Sequence, residues 1–105
     1  IQAEQMSQFY NNSDYVVLDV RKPSEFDTEH VVNAINIQLS EIDERAGELK
    51  KKKKYIVHCA AGYRSMMAAS ILKEKGFDNF VNVAGGWGSI KKTSLPTEAS
   101  VATLI

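Results

Sequence analysis

Cysteine is almost absent from this chain: Cys59 is the single cysteine among 105 residues. One thiol excludes an internal disulfide framework, an intramolecular Cys-x-x-Cys redox pair and a cysteine-rich zinc site. The two histidines, His30 and His58, lack the companion ligands that a metal site needs. We therefore expect no metal and no cofactor, and any cysteine chemistry must use one thiol.

Long hydrophobic runs and an excess of one charge sign are also missing. No apolar stretch approaches the ~20 residues that a bilayer span requires, and no signal-like segment opens the chain. Thirteen Lys and Arg balance thirteen Asp and Glu, which removes the usual electrostatic reason to expect nucleic acid as a ligand. The sequence predicts neither a membrane nor a nucleic-acid partner, and a cytoplasmic location is the default.

Acidic and basic side chains are nonetheless segregated along the sequence. Residues 1–48 carry ten acidic and three basic side chains, so the positive excess lies in residues 49–105, where an anion would be drawn. The lysine run 50–54 has no interleaved aromatic residues. This favours a solvated helix end over a docking patch for an acidic partner or RNA.

The length and the 44% content of hydrophobic residues fit one compact domain. Short β-branched runs alternate with amphipathic segments, which favours an α/β fold with a parallel sheet. The predicted strands are 15–19, 34–37, 55–58 and 80–83. The predicted helices are 4–10, 24–29, 41–49, 65–75 and 87–92, with Pro23 in the first turn of the second and Gly76 ending the fourth. A broad apolar face on the fourth helix predicts core packing for Met66, Met67, Ala68, Ala69, Ile71 and Leu72.

The segment from His58 to Ser65 is the most informative about chemistry. It joins a predicted strand to a predicted helix at the carboxyl end of a parallel strand, where open α/β sheets bind their ligands. Small residues let backbone N–H groups turn inward, and the helix N-terminus adds partial positive charge; these small residues are Ala60, Ala61 and Gly62. Arg64 closes the loop with a permanent cation, so the loop is suited to bind an anion.

Cys59 lies at the base of this predicted anion-binding loop. Helix N-termini and adjacent cations lower the pKa of a thiol, so we expect Cys59 to be largely thiolate at neutral pH. The alternative from the residues alone is a small buried hydrophobic side chain at a strand end, as lone cysteines often are.

Polar side chains near the strand ends are expected to support the loop. Asp19 and Arg21 can tie neighbouring loops together through charge-assisted hydrogen bonds, and Arg21 is close enough in sequence to pair with Glu25 across a turn. His58 is expected to point away from Cys59, because side chains alternate along a strand, and to form hydrogen bonds behind it.

Three further ring-bearing residues carry weaker signals. Tyr63 lies within the loop and is expected to flank the mouth of the pocket. Trp87 is expected to pack against a helix, with a place in the pocket wall as the alternative. His30 is expected to fix a loop rather than carry protons.

Taken in order, these motifs resemble those of a rhodanese-like domain. The matching segments are Asp19-Val20-Arg21, Glu25-Phe26, His30, Ala34-Ile35-Asn36-Ile37, the loop from Cys59 to Arg64, Gly76-Phe77 and Gly85-Gly86-Trp87. The resemblance covers residues 1–97, leaving 98–105 as a C-terminal tail. It implies a mostly parallel sheet of four to five short strands with helices on both faces.

The resemblance also implies a sulfurtransferase. In that family the cysteine corresponding to Cys59 takes a sulfane sulfur from thiosulfate or a persulfide, holds it as a cysteine persulfide and passes it to a thiol or cyanide. The implied partners are a small-molecule or protein sulfur donor and a thiol acceptor. The implied catalytic residues are Cys59 and Arg64, the substrate-binding residues Ala60, Ala61, Gly62, Tyr63 and Ser65, and the supporting residues Asp19, Arg21, Glu25 and His58.

Two alternatives remain open. Cysteine-dependent phosphatases and arsenate reductases have a similar signature with five residues between Cys and Arg, whereas this chain has four. The shorter loop crowds a tetrahedral phosphate, and no loop residue supplies the carboxylic acid that a leaving group needs. The other alternative is a non-catalytic or regulatory rhodanese module, for example one fused to a metallo-β-lactamase-type hydrolase or a disulfide reductase. Ile1 in place of Met favours such a covalently fused domain outside this chain.

Two positions depart from the family pattern. Val32-Asn33 stands where many members have Pro-Gly, so a different turn is expected there. Ile1-Gln2 alone represents the short edge strand usually found before the first helix, which leaves that edge of the sheet undefined.

Overall fold

Parallel strands form the central sheet of the molecule, and the computed structural model describes residues 1–100. The strands are β1 (Tyr15–Asp19), β2 (His30–Val31), β3 (Ile35–Asn36), β4 (Lys54–His58), β5 (Phe80–Asn82) and β6 (Thr97–Glu98). The central sheet has the order β3-β1-β4-β5 with every neighbouring pair parallel, and β2 pairs with β6 antiparallel. The α/β fold with its parallel sheet is confirmed, and each of the four predicted strands is found to within one residue.

Short helices connect the strands. The α-helices are α1 (Ser7–Tyr10), α2 (Pro23–Thr28), α3 (Ile42–Arg45), α4 (Tyr63–Glu74) and α5 (Gly86–Ile90), and 3₁₀ turns span Ala3–Met6, Leu39–Glu41 and Ala46–Glu48. The predicted helices 4–10 and 41–49 are each divided into α-helical and 3₁₀ pieces. The last piece of the second contains Gly47, a residue that weakens helices.

The two helix boundaries that carry a local sequence signal, the start at Pro23 and the end at Gly76, are confirmed. Pro23 is the first residue of α2, where its missing N–H is not needed. Gly76 follows α4 at φ +89°, and its N–H donates to the carbonyl of Lys73 at 3.1 Å. The N–H of Phe77 donates to the carbonyl of Leu72 at 3.0 Å, which completes the predicted glycine cap.

Alternating side chains of the central strands supply two hydrophobic clusters, one on each face of the sheet. Tyr55, Val57 and Cys59 lie in one cluster with residues of α3 and α4. Ile56 lies in the other with the N-terminal turn, α5 and Leu95. Helices therefore cover both faces of the sheet, as the resemblance implied.

The prediction that Met66 and Met67 pack in the core is wrong. They are 62% and 59% exposed, whereas Ala68 and Leu72 are fully buried. Only one side of α4 meets the sheet. Because residues 66–69 are four consecutive apolar residues and point to all sides of the helix, the sequence pattern does not show which of them face the core.

A turn at Val32-Asn33 replaces the Pro-Gly of the family pattern. The N–H of Ala34 donates to the carbonyl of Val31 at 3.0 Å, and Asn33 adopts φ +70°. Asparagine tolerates this left-handed conformation better than other residues with side chains. The chain therefore closes a four-residue turn here without glycine.

The first residue and strand β6 both contact the body of the domain. The N-terminal ammonium of Ile1 donates to the carbonyl of Asn82 at 2.8 Å, so the chain starts alongside β5. Strand β6 crosses the expected boundary between domain and tail at residue 97, and the last five residues of that tail, 101–105, lie outside the described residues. Among the helices of residues 1–100, none is long and apolar enough to cross a membrane.

Candidate active site

The carboxyl ends of β1 and β4 define the position of the site. The strands pair with Asp19 opposite His58, so Val20 and Cys59 leave the sheet next to each other. The chain beyond Val20 runs to α2, and the chain beyond Cys59 turns through a short loop into α4. Residues from these two connections can therefore meet at one edge of the sheet.

The Cys59 sulfur lies at the floor of the loop formed by residues 60–62. Its side chain is fully buried. The N–H of Gly62 donates to Sγ at 3.0 Å, and the Ser65 hydroxyl oxygen lies 3.5 Å from Sγ. Gly62 adopts φ +116° at the start of α4, a left-handed conformation that glycine adopts without strain. Helix α4 begins at Tyr63, two residues before its predicted start, so its first turn forms part of the loop.

Hydrogen bonds to this sulfur favour its thiolate form. Burial raises the pKa of the Cys59 thiol, but hydrogen bonds from the Ser65 hydroxyl and from the N–H groups of Ser65, Gly62 and Ala61 lower it. The balance places the pKa below its ordinary value of 9.0. This direction agrees with the sequence prediction, and a largely ionised thiol at neutral pH stays a prediction.

Arg64 forms an ion pair with Glu25 of α2 beside the loop. The Nη1–Oε1 distance is 2.6 Å and the Nη2–Oε2 distance is 3.1 Å, and the two side chains are 30% and 33% exposed. The hydrogen bonds from Arg64 lower the pKa of Glu25 to about 2. The predicted pairing of Arg21 with Glu25 is wrong, because Arg21 binds Asp19 instead.

The Asp19–Arg21 pair lies behind the loop and is buried. Nε of Arg21 donates to Oδ1 of Asp19 at 2.9 Å, and Nη2 donates to Oδ2 at 2.7 Å and to the carbonyl of Glu29 at 2.8 Å. The Asn36 amide donates to the carbonyls of Asp19 and Arg21 at 2.9 and 3.0 Å. The pair thus ties β1 to the segments around Glu29 and Asn36, as its predicted structural role requires.

His58 faces this buried pair, away from the sulfur, as strand alternation predicted. Its Nε2 lies 3.5 Å from Oδ2 of Asp19, and its Nδ1 lies 3.2 Å from the carbonyl oxygen of Cys59. Burial lowers the pKa of His58, outweighing the opposite effect of Asp19. The imidazole is therefore neutral at neutral pH. It stacks on Trp87, whose ring also lies 4.7 Å from the Arg21 guanidinium carbon.

Helix α5 packs its N-terminus directly against the backbone of the loop. The N–H of Trp87 donates to the carbonyl of Cys59 at 2.7 Å, and the N–H of Gly88 donates to the carbonyl of Ala60 at 3.3 Å. Gly86 is buried at φ +55°. A Cβ at that position would collide with the Cys59 carbonyl oxygen and lie 2.8 Å from the carbonyl of Ala60. Only glycine permits this approach.

A groove of about 390 Å³ opens between α2 and α5 beside the loop. It is lined by Arg21, Glu25, Thr28, Glu29, Trp87 and Lys91. Two of its lining residues also contact the loop segment: Glu25 binds Arg64, and the Trp87 N–H donates to the Cys59 carbonyl. Trp87 packs against the hydrophobic cluster that contains Ile56, and it also lines this groove. It therefore has both the packing role expected from the sequence and the alternative place in a pocket wall.

The other predicted residues take varied positions around the loop. Ala61 and Tyr63 are exposed, and Tyr63, at 83% exposure, is compatible with its expected place at the pocket mouth. His30 holds the α2 segment: its Nδ1 lies 2.7 Å from the carbonyl oxygen of Phe26. Sequence reasoning missed the groove residues Thr28, Glu29 and Lys91, because no local motif marks side chains that converge from distant segments.

Comparisons with known proteins match this architecture. A model of the rhodanese-like domain matches residues 2–93. The thiosulfate sulfurtransferase GlpE of Coxiella burnetii is 31% identical over 78 residues, which cover 74% of this chain and 73% of that protein. The protein YrkF of Bacillus subtilis is 37% identical over 70 residues, which cover 67% of this chain but only 38% of that protein.

The solved structures agree with the sequence comparisons. A rhodanese-related protein from Thermoplasma volcanium has 38% identity and a TM-score of 0.84, with coverage of 93% of this chain and 95% of that chain. The family match includes the whole Cys59 loop, both strands that position it and the α5 segment that packs against it. This chain belongs to the rhodanese-like domain family.

Proposed function

We propose that this chain is a sulfurtransferase that carries sulfur on Cys59 as a persulfide. The observation that supports it most directly is the environment of Sγ. A buried thiol with a lowered pKa lies at the N-terminus of a 12-residue helix and accepts backbone hydrogen bonds. Such an arrangement favours an anionic sulfur nucleophile over an inert structural cysteine.

The first half of the reaction loads Cys59. The thiolate attacks the outer, sulfane sulfur of thiosulfate or of an organic persulfide. A new S–S bond forms to Cys59, the S–S bond of the donor breaks, and the leaving group departs as sulfite or a thiolate with the bonding electron pair. The thiosulfate sulfurtransferase from Coxiella burnetii, 31% identical, supports this chemistry by similarity.

The second half returns the enzyme to its starting state. An acceptor thiolate or cyanide attacks the outer sulfur of the Cys59 persulfide, the S–S bond breaks, and Cys59 leaves as a thiolate. The same N–H groups that stabilise the thiolate, those of Ala61, Gly62 and Ser65, stabilise the departing charge. Covalent catalysis thus divides one transfer into two displacements at the same sulfur.

Access to the sulfur requires movement of the loop. Cys59 is fully buried, whereas Ala61 is exposed and Gly62 has open space on its Cβ side. We assign Ala60, Ala61 and Gly62 to the cover that moves aside for the donor, and Tyr63 to the rim of the opening. Arg64 donates hydrogen bonds to the donor from N–H groups outside its pair with Glu25, together with the loop N–H groups.

A phosphatase is less well supported by the same geometry. Its leaving group needs a protonated acid near the loop. Glu25 is the carboxyl group that contacts Arg64, and its pKa of about 2 keeps it ionised at neutral pH. The four-residue spacing between Cys59 and Arg64 also gives less room than a phosphate loop has.

The proposal is tested by the intact mass of the protein after incubation with thiosulfate or cysteine hydropersulfide. We expect the gain of one sulfur atom, reversed by a thiol reductant and absent in Cys59→Ser. Because the chain has one cysteine, any reducible adduct on sulfur identifies its position without further mapping. No adduct from either donor, in protein whose circular dichroism shows a folded state, overturns the proposal. Turnover of a phosphate ester in that protein would instead establish the phosphatase.

A further inference from the structure

The cation beside Cys59 is neutralised by its own ion pair. Both Nη atoms of Arg64 face the two carboxylate oxygens of Glu25, at 2.6 and 3.1 Å. Glu25 is ionised at any pH well above about 2. The guanidinium therefore reaches the site with its charge already balanced, although its N–H groups outside the pair can still donate hydrogen bonds.

The other charges near the loop are balanced in the same way. Arg21 is paired with Asp19 in the buried cluster. In the groove, Lys91 follows α5 and Glu29 follows α2; their charges are opposite, so together they add no net charge. At the sulfur itself, the groups that remain to attract an anion are the N–H groups at the start of α4, and they already surround the thiolate.

The two donor classes place different demands on such a site. Thiosulfate is a dianion, so its reaction brings three negative charges together at Cys59 and releases sulfite as a dianion. An organic hydropersulfide reacts with a thiolate in its protonated form, R–S–SH, and this form brings no charge of its own to the site. The products are the Cys59 hydropersulfide and the thiolate RS⁻, so one negative charge is present throughout.

We infer that Glu25 is a specificity-determining residue that makes this site select organic hydropersulfides over thiosulfate. The inference rests on the proposed sulfur transfer and concerns only the choice of donor. Glu25 acts through Arg64, whose charge it compensates. In its absence the guanidinium is a free cation beside the thiolate and attracts the dianion.

The groove beside the loop fits the organic part of such a donor. Its volume of about 390 Å³ exceeds the need of an inorganic oxyanion. It offers the ring of Trp87, the ammonium of Lys91 and the carboxylate of Glu29, whose Oε2 also accepts from the Thr97 hydroxyl at 2.7 Å. This combination suits a zwitterionic group such as an amino acid or short peptide, with its carboxylate at Lys91 and its ammonium at Glu29.

The test measures the second-order rate constant for loading Cys59, followed by intact mass, with thiosulfate and with cysteine hydropersulfide. In Glu25→Gln we expect the constant for thiosulfate to rise about tenfold, because the freed charge of Arg64 acts on a dianion. The constant for cysteine hydropersulfide is expected to change less than about twofold. The matched control is Asp27→Asn, which removes a carboxylate from the same helix but not the partner of Arg64.

The outcomes separate this inference from the proposed function. Loading of wild-type protein by either donor, with no rise for thiosulfate in Glu25→Gln or an equal rise in Asp27→Asn, overturns the inference alone. Failure of both donors to load the wild type overturns sulfur transfer and the inference with it.

A measurement on the wild type keeps the inference testable if Glu25→Gln does not fold. Salt screens the attraction between a cationic site and a dianion, so it slows loading wherever such attraction operates. We expect loading by thiosulfate to stay constant or to accelerate as salt is raised to about 0.15 M. A several-fold slowing would show that the site attracts dianions and would overturn the inference.

Discussion

Two arginine–carboxylate pairs flank the Cys59 loop, and they differ in burial and in sequence separation. Arg21 and Asp19 are two residues apart, with side chains 4% and 0% exposed. Arg64 and Glu25 are 39 residues apart and about one third exposed. Both pairs have short, bidentate contacts, so geometry alone does not distinguish them.

The difference indicates what each pair can do. In the buried pair, Arg21 donates to the Glu29 carbonyl and the Asn36 amide donates to the backbone carbonyl of Asp19. The Asp19 and Arg21 side chains have almost no exposed surface. The Glu25–Arg64 pair joins α2 to the first turn of α4 at the edge of the site. We therefore expect the Asp19–Arg21 pair to maintain the fold and the Glu25–Arg64 pair to adjust the charge that a substrate meets. The following predictions test this division.

Removing the buried carboxylate charge has the largest expected effect. We expect Asp19→Asn to lower the free energy of unfolding by about 3–5 kcal/mol, because it leaves the Arg21 guanidinium buried without a counter-charge. The matched substitution Glu25→Gln is expected to cost less than about 1 kcal/mol. Urea unfolding monitored by circular dichroism measures both. Equal losses in the two variants would show that the pairs do not differ in structural importance.

Removing the Arg64 cation is expected to affect activity more than stability. Arg64→Gln leaves Glu25 without its partner beside the thiolate, so we expect loading by thiosulfate to slow about a hundredfold, with less than about 1 kcal/mol lost from the free energy of unfolding. Arg45→Gln is the matched control, since Arg45 also binds exposed carboxylates, those of Glu41 and Glu48, outside the site. Similar loading rates in both variants would contradict the assigned role of Arg64.

The buried imidazole of His58, next to the Asp19–Arg21 pair, is expected to make the stability of the protein depend on pH. Burial lowers its pKa in the folded state, so the unfolded chain takes up a proton first as pH falls below about 6.5. Stability contributed by neutral His58 is present above that pH and declines below it, by at most about 1.4 kcal/mol per pH unit. We expect His58→Gln to abolish this component in urea unfolding between pH 7 and 5. Parallel stability profiles for the two proteins would count against a buried neutral imidazole.

The smallest expected effect is the change in stability with pH that the Glu25–Arg64 pair contributes. The pKa of Glu25 is lowered from 4.5 to about 2 in the folded state. The stability it provides is therefore present above pH 4.5 and is lost as pH falls toward 2. Because the pair is about one third exposed, we expect less than about 1 kcal/mol in total. The difference between wild type and Glu25→Gln in urea unfolding is expected to shrink between pH 5 and 3, and a constant difference would contradict the prediction.

The comparison also separates what the sequence could predict from what it could not. The residues that carry local signals were found: the strand before Cys59, the small residues of its loop, the Pro23 start of α2 and the Gly76 end of α4. Asp19 and Arg21, two residues apart, could be assigned a structural pairing role because their interaction is nearly local.

Contacts between distant segments were beyond sequence reasoning. Glu25 and Arg64 are separated by three strands and α3, and nothing in the sequence near Glu25 distinguishes Arg64 from Arg21 as its partner. The exposed positions of Met66 and Met67 were missed for a different reason. An apolar side chain indicates burial only when the opposite side of its helix is polar, and the run of apolar residues 66–69 lacks that contrast.

The hydrogen atom that Gly86 carries in place of a side chain has a consequence for the dimensions of the reactive loop. Since α5 rests on the carbonyl groups of Cys59 and Ala60, the loop can yield toward solvent but not toward this helix. A methyl group at residue 86 would push against the Cys59 and Ala60 carbonyls, and the loop that surrounds the sulfur would have to move. The size of the sulfur site thus depends on helix α5, which begins 27 residues after Cys59 in the chain and contacts the loop backbone rather than the sulfur.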